Sequence, residues 1–574
     1  MKPSLVHRLS WSFLLLAASA LATTSCTPSE RTFDNSGGTG GAAGAGGSAG
    51  SGGAGGSTMV CTPNVDTQSC YSGTPETLEV GLCRGGTATC LTSGEGFGEC
   101  VGEVLPAGEN CLTPEDEACN GNDAKECPVL GNGWLQSFGS LDVTQLIQDV
   151  AITNTGDIVA VGTFADTIDF GLGPMASTGS NDIFVAKFDP MGKAIWNKRY
   201  GDASSQSAAS VAVDGMGGIY VTGSMQGSAD FDGNLITSAG SDDAYLVRFE
   251  PDGTVAWARV FGDTVRQNGR QVAVSKTNLV IVAGDYTSTI QFDAAPNNTH
   301  TAVGGIDIFV ARFDASGFVS GSRGFGGMGT ESVRGLTMGP ADEVFLTGGY
   351  EGATDFDGKM LTSTGSRDAY IAQLAPNLTP SVVQGFGFAN GPTTFQEGYD
   401  IAIGPGGELF FTGGFTDTIE LGGKILNNPD TTQRAMFVAQ LDGMFTANFA
   451  QKYGGIGGGI FDTRIAVDPL AKQLVMAGAY TGDADFGSGL LSALSSSDPF
   501  LVKLGLDLTF VAARTLENAP MTAAGDNVIS ALALLPSGDL IVGGTVRSPV
   551  TYDPTVVGSE NGKFGDALLG RFIH

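Results

Sequence analysis

At 574 residues the chain has room for about three to four average domains, or for a single repeat array. Its 88 glycines, with only 16% charged residues, exclude a collagen, a coiled coil and a fully disordered chain. The 29 basic against 60 acidic residues give a net charge of −31, which repels phosphate backbones and argues against nucleic acid as a partner.

The chain begins with Lys2 and Arg8, an apolar run from Trp11 to Leu21, and the small residues Ala22, Thr23, Thr24 and Ser25 directly before Cys26. That order reads as a signal peptide over residues 1–25. Its end resembles the bacterial lipoprotein lipobox, although Thr23 stands where that family usually has Leu. The resemblance implies that Cys26 is lipidated through its sulfur, leaving an exported protein held at the outer membrane or cell surface. Simple secretion is the alternative. No later stretch reaches the roughly 18 consecutive apolar residues of a membrane-spanning helix, so the lipid would be the only membrane contact. Residues 26–60 form a linker, and the Gly, Ala and Ser run from Gly37 to Ser57 cannot bury enough apolar surface to offset its ordering entropy. As a flexible coil it spans about 25 Å.

Eight cysteines follow within residues 61–128: Cys61, Cys70, Cys83, Cys90, Cys100, Cys111, Cys119 and Cys127. An even set packed into so short a segment of an exported chain reads as a disulfide-stapled module, with its connectivity open. Within it, ECVGEVLPAGENC followed by EDEACNGND resembles the cysteine and Asp/Asn/Gly metal-binding modules of bacterial surface proteins. The resemblance makes Asp116, Asn120, Asn122 and Asp123 candidate oxygen donors for calcium, although Asn replaces two of the family's aspartates. The default reading is a polar spacer without a cofactor.

From Trp134 onward one pattern recurs. DIFVAKF at Asp182 returns as DAYLVRF at Asp243, DIFVARF at Asp307, DAYIAQL at Asp368, AMFVAQL at Ala435, DPFLVKL at Asp498 and DALLGRF at Asp566, every 61 to 68 residues. Two strand-like runs precede each copy and a fourth follows the first six, with Gly, Asp and Pro turns between them. The fold class is therefore all-β, a seven-bladed β-propeller of four-stranded antiparallel blades over residues 134–574. The seventh copy ends after its third strand, while WLQSFG at Trp134 is a fourth-strand sequence standing alone before the first copy. Strand 134–139 is thus expected to complete blade 7 and close the ring. The V-A-V-D, Y-V-T-G, D-x-F-V-A-K-F and W-x-K-x-F-G runs resemble the SBBP repeats of bacterial exported proteins, which implies the fold and little about activity. Copies three to seven lack the Trp.

Alternating strand direction puts the tight first-to-second and third-to-fourth connections on one face. The long second-to-third and fourth-to-first connections, such as the run from Phe164, lie on the other, where binding is expected. On that face Asp149, Ser210, Gln271, Asp400, Arg464 and Ser530 enter the innermost strands and are candidate ligand-binding residues, or else satisfy backbone groups. Gln145, Gln206, Gln267, Glu331, Gln396 and Asp526, a few residues earlier, are expected to rim the channel. A repeated Asp-Phe pair, at Asp169, Asp230, Asp355 and Asp485, is read as a loop cap with Phe packed between blades.

Three histidines, with no H-E-x-x-H, G-x-S-x-G or P-loop motif, argue against an enzyme. The expected function is a monomeric, envelope-anchored binding scaffold for a protein or polysaccharide. The alternatives are a polysaccharide lyase or glycoside hydrolase working through channel-mouth carboxylates, and a purely structural envelope protein.

Overall fold

The computed structural model describes residues 61–106, 119, 131–139, 143–388, 394–430, 433–454, 458–487, 489–493, 496–516, 527–547, 550–552, 555–557 and 565–573. The signal segment, Cys26, the linker, Cys111, Cys127 and Asp526 lie outside the described residues, as do the candidate calcium donors Asp116, Asn120, Asn122 and Asp123. Cys61 bonds to Cys90, Cys70 to Cys100 and Cys83 to Cys119, with sequence separations of 29, 30 and 36 residues. Each bridge crosses the other two, around the small ladder of Thr67–Cys70 against Gly86–Thr89. In the chain-entropy account, a crosslink closing such a loop stabilises by about 3–4 kcal/mol, which replaces the core this module is too short to build.

Seven four-stranded antiparallel blades follow. Blade 1 comprises Gln145–Ile152, Ile158–Phe164, Asp182–Phe188 and Ala194–Tyr200, and blades 2 to 6 repeat that order. Blade 7 takes Val528–Leu534, Leu540–Val546 and Asp566–Ile573 from the end of the chain, and Gly131–Phe138 from before blade 1. The expected closure is therefore present, in a ladder that runs from Gly131 opposite Ile573 to Phe138 opposite Ala567.

The third strands are near-continuous apolar runs because both of their faces are buried. In Asp182–Phe188 all seven residues are buried. Phe184, Ala186 and Phe188 pack towards blade 7, while Ile183 and Val185 pack towards blade 2. The protein has no single centre of packing. Seven hydrophobic clusters occupy the seven interfaces between neighbouring blades.

Each second-to-third connection contains a further two-stranded hairpin, where long loops were expected. In blade 2, Ser228–Phe231 pairs with Asn234–Thr237 around Asp232 and Gly233, both at positive φ, as a type I′ turn requires. The Asp-Phe pair acts as expected. Asp230 Oδ1 accepts from Gly233 N at 2.7 Å, and Asp169 Oδ1 from Gly171 N at 2.8 Å. Phe231 stacks on Tyr200 of blade 1, with ring centroids 4.4 Å apart. Phe170 meets Phe138 of blade 7, and Phe486 meets Tyr453 of blade 5. The hairpin of each of these blades thus clasps the outer strand of the blade before it.

The missing tryptophans are compensated at the third-to-fourth turns. Trp134, Trp196 and Trp257 donate through Nε1 to Pro190 O, Pro251 O and Ala315 O of the following blade. Each indole lies over a turn glycine, Gly192, Gly253 or Gly317, at φ of +80°, +86° and +80°. A Cβ there would meet the ring at 2.8 to 2.9 Å. In blades 4, 5 and 6 the preceding outer strand has no Trp, and the turn residue is Leu378, Phe445 or Leu508, buried at positive φ. These side chains supply from the turn the apolar bulk that the strand no longer provides, and accept a strained backbone to do so. Leu378→Ala is expected to lower stability by about 2–5 kcal/mol, read as a fall in denaturant midpoint. Leu378→Gly should also destabilise, because the cavity outweighs the roughly 1 kcal/mol relieved at the left-handed backbone.

Candidate functional site at the channel mouth

The innermost strands of blades 1, 2, 3, 5, 6 and 7 each carry a register shift near their first turn. The residues left out of register are Gln148, Ala209, Arg270, Tyr399, Asp462 with Thr463, and Ser530. In blade 4 the equivalent residue is Arg334, which precedes the paired strand and donates its N–H to Thr347 O at 2.9 Å. A β-bulge bends its strand and re-aims one side chain, so this ring of bulges is a ring of redirected residues.

Of the six candidates named from sequence, five sit beside these bulges and Ser530 is itself a bulge residue, and all six join consecutive blades. Asp149 Oδ2 accepts from Ser210 Oγ and Val211 N, each at 2.9 Å. Ser210 Oγ accepts from Val272 N at 3.2 Å, and Gln271 Nε2 donates to Arg334 O at 2.9 Å. Asp400 Oδ2 accepts from Ile465 N at 2.9 Å, and Arg464 Nε donates to Ser530 O at 2.8 Å. Ser530 Oγ returns the belt to blade 1 by donating to Ile147 O at 2.6 Å. Between blades 4 and 5 the link is Ser332 Oγ to Glu397 Oε1 at 2.9 Å. The side chains are thus brought together around the axis, with bonds committed to the scaffold.

The expected rim of Gln145, Gln206, Gln267, Glu331 and Gln396 is corrected by the structure. All five are at most 1% exposed and lie between blades. The four glutamines donate to backbone carbonyls, for example Gln206 Nε2 to Gln226 O at 2.6 Å and Gln396 Nε2 to Thr418 O at 2.9 Å. Desolvation drives this, since a buried amide must find internal partners.

Among the described residues at the bulge positions, Arg270, Arg334 and Asp462 are exposed. Arg334 reaches Asp462 of blade 6 and Glu397 of blade 5, each at 3.4 Å. A contact from blade 4 to blade 6 skips a blade and must cross the axial opening. Arg270 and Arg266 both pair with the buried Asp285, which Asn268 also bonds. Deeper in, burial pushes Asp400 up to about 6, against the opposing pull of Arg464 and two backbone N–H groups, with the Asp149 charge adding to the rise. Burial likewise raises Asp149. The mouth therefore combines exposed charges of both signs with two carboxyl groups at raised pKa. Such a surface can hydrogen-bond hydroxyl groups or a peptide backbone. Among the described residues no group of three or more His, Cys, Asp and Glu is placed to hold a metal ion.

The chain matches no protein-family profile. A WD repeat-containing protein of Acanthamoeba polyphaga mimivirus is 23% identical over 257 residues, 38% of this chain. The chain spans only 18% of the length of that curated relative. Among solved structures, an ulvan lyase is 11% identical with a TM-score of 0.38, the match covering 71% of this chain and 93% of that one. YCF48 bound to a D1 peptide is 11% identical with a TM-score of 0.34 over 78% and 99%. An α-L-arabinofuranosidase of Fusarium graminearum is 12% identical with a TM-score of 0.33 over 65% and 94%. At these identities the likeness concerns the fold alone. It nevertheless overturns the expectation that the chain is not an enzyme, because the propellers it resembles include a lyase and a glycoside hydrolase, so the fold excludes neither catalysis nor binding.

Because the Asp400 pKa is higher folded than unfolded, its protonated form favours the native state. The stability it contributes is present below about pH 4 and lost as pH rises through about 6. In Asp400→Asn the stability curve should lose that decline between pH 4 and 6. Asp149→Asn should lower the Asp400 midpoint, followed by carboxyl NMR titration, and Arg464→Met should raise it.

Proposed function

We propose that the chain is an exported, lipid-anchored binding scaffold whose propeller presents the mouth face to a protein or polysaccharide. One observation carries this reading. Around the seven blades the framework positions repeat, while the bulge positions are occupied by Gln148, Ala209, Arg270, Arg334, Tyr399, Asp462 with Thr463, and Ser530, of which arginine alone occurs twice and Tyr399 and Thr463 are buried. Repetition where packing demands it, and variation where side chains are redirected, is the pattern of a specificity surface on a rigid scaffold. The disulfide-bonded module accords with export, since disulfides persist in oxidising compartments. The lipobox-like Cys26 and the Gly-rich linker would hold the propeller away from the membrane as a monomer, with no cofactor needed for capture.

A second reading rests on Asp149 and Asp400, two carboxyl groups near the axis with raised pKa values, the Asp149 charge adding to the rise at Asp400; with one protonated and the other ionised they could act as acid and base on a glycan. Turnover on a glycan panel that disappears in Asp149→Asn and in Asp400→Asn would favour it.

The purified full chain should capture a component of cell-envelope extracts or a glycan on an array. The double variant Arg270→Gln and Arg334→Gln should weaken that capture by about thirtyfold or more, as loss of an interface arginine typically costs about 2 kcal/mol. Capture of nothing, or capture indifferent to both substitutions, would refute the reading.

A further inference from the structure

The interface between blades 3 and 4 departs from its neighbours. In blade 1 the buried Asp182 has a cation of its own: Arg199 Nη1 donates to Asp182 Oδ2 at 2.5 Å and to Thr178 Oγ1 at 2.8 Å. Arg199 stands opposite Phe184 in the ladder. In blade 3 the residue opposite the equivalent Phe309 is Gly324, so no side chain reaches Asp307 from that position. In the next interface the residue that is Gln206 or Gln267 elsewhere is Glu331, a second acid. In blade 2 Val260 stands opposite Tyr245, so Asp243 also lacks a cation from that position; what sets the interface between blades 3 and 4 apart is Gly324, which puts no side chain there, together with the added acid Glu331.

The result is a cavity of about 280 Å³ lined by Tyr286, His300, Asp307, Gly324, Asp355 and Asp357. Its wall is fixed by an extra pairing, since Gly326 and Gly327 of the outer strand of blade 3 continue onto Asp355 and Thr354 of the blade 4 hairpin. Asp307 is 2% exposed, and its Oδ2 accepts from Val303 N at 3.0 Å while its Oδ1, like that of the equivalent Asp182, Asp243 and Asp368, has no hydrogen-bond partner. Glu331, 1% exposed and just outside the cavity lining, bonds through Oε1 to Thr354 Oγ1 at 2.8 Å while Oε2 has no side-chain partner, and Arg367 offsets part of its charge. Leaving such oxygens unpaired in a buried site is costly, and an arriving donor would relieve the cost. His300 Nε2 bonds Ser322 Oγ at 2.7 Å, and Arg323 pairs with Asp357 at 3.2 Å, away from Asp307. The interface between blades 4 and 5 also has a glycine, Gly385, but Gln396 replaces the second acid and Asp368 accepts from both Thr364 N and Thr364 Oγ1.

We infer that this cavity is a receptor for the guanidinium group of an arginine side chain carried by a partner protein, which takes the place that Arg199 fills in blade 1. Planar donors in a fixed fork suit a carboxylate flanked by other acceptors, and the aromatic and imidazole walls suit a guanidinium face. The inference rests on the reading of this face as a binding surface and specifies one class of partner for it.

The test uses the full chain and N-acetyl-L-arginine amide at pH 8, with N-acetyl-L-citrulline amide as its uncharged isostere and glucosamine as an amino sugar, followed by ligand-observed NMR. The arginine amide should bind at about millimolar affinity and the citrulline amide about tenfold more weakly or less. Asp307→Asn should reduce arginine binding about tenfold, with Asp355→Asn as a second variant at the cavity rim should the first fail to fold. Equal binding of the arginine and citrulline amides, arginine binding unchanged in the folded variants, or tighter binding of glucosamine would overturn the inference. If envelope proteins are captured while the arginine amide shows no binding, this cavity is wrong and the binding face stands. Failure of both removes the face as well.

Discussion

Every feature of the propeller depends on one strand pairing, Gly131–Phe138 against Asp566–Ile573. Seven sheets in a row would leave blade 7 without its outer strand and blade 1 without its neighbour. Pairing the two ends of the chain converts that row into a closed ring. It also completes the cluster between blades 7 and 1, where Phe138 meets Phe170 and Phe188. The belt of bonds around the axis needs the same closure, since Ser530 donates back to Ile147. The mouth is positioned by a constraint that acts far from it in sequence.

Within the closed ring, the seven interfaces solve one packing problem with different residues. Where an outer strand carries Trp, the next turn carries glycine; where the Trp is absent, Leu378, Phe445 or Leu508 is buried from the turn side. Donors to the next turn are exchanged as well. Arg312 Nη1 reaches Pro376 O at 2.6 Å, and Gln440 Nε2 reaches Leu506 O at 3.0 Å, where Trp196 and Trp257 serve other blades. What looks like degeneration of the repeat is compensation across blade boundaries, which keeps the interior densely packed. The interface between blades 3 and 4 is different because Gly324 puts no side chain beside the buried Asp307, which lines a cavity there, and Glu331 adds a second buried acid.

The architecture was legible because its signals are local and repeated. The apolar third strands, the turn residues and the stray fourth-strand sequence at Trp134 announce blades and closure. The hairpins were legible too and were missed. DFDGN at Asp230 and DFDGK at Asp355 carry the Asp-Gly turn signal between short strands, but the Asp-Phe pair was read only as a loop cap. The bulges were not legible, because a bulge is a property of pairing with the neighbouring strand and adds nothing distinctive to its own sequence. This is why the innermost glutamines were expected at the channel and lie between blades, whereas Arg270 and Arg334 were not singled out and are exposed at the mouth. The sequence places Asp149 and Asp400 on the innermost strands, and the structure adds their bonds to the next blade.

The propeller is thus a closed scaffold whose irregularities gather on one face. Amide hydrogen exchange on the full chain, with and without its captured partner, tests that most directly. Protection should appear at the bulge segments around Arg270, Arg334 and Asp462 and at the hairpins beside them. Protection confined to the opposite face, at turns such as Asp189 to Lys193 and Glu250 to Thr254, would contradict it.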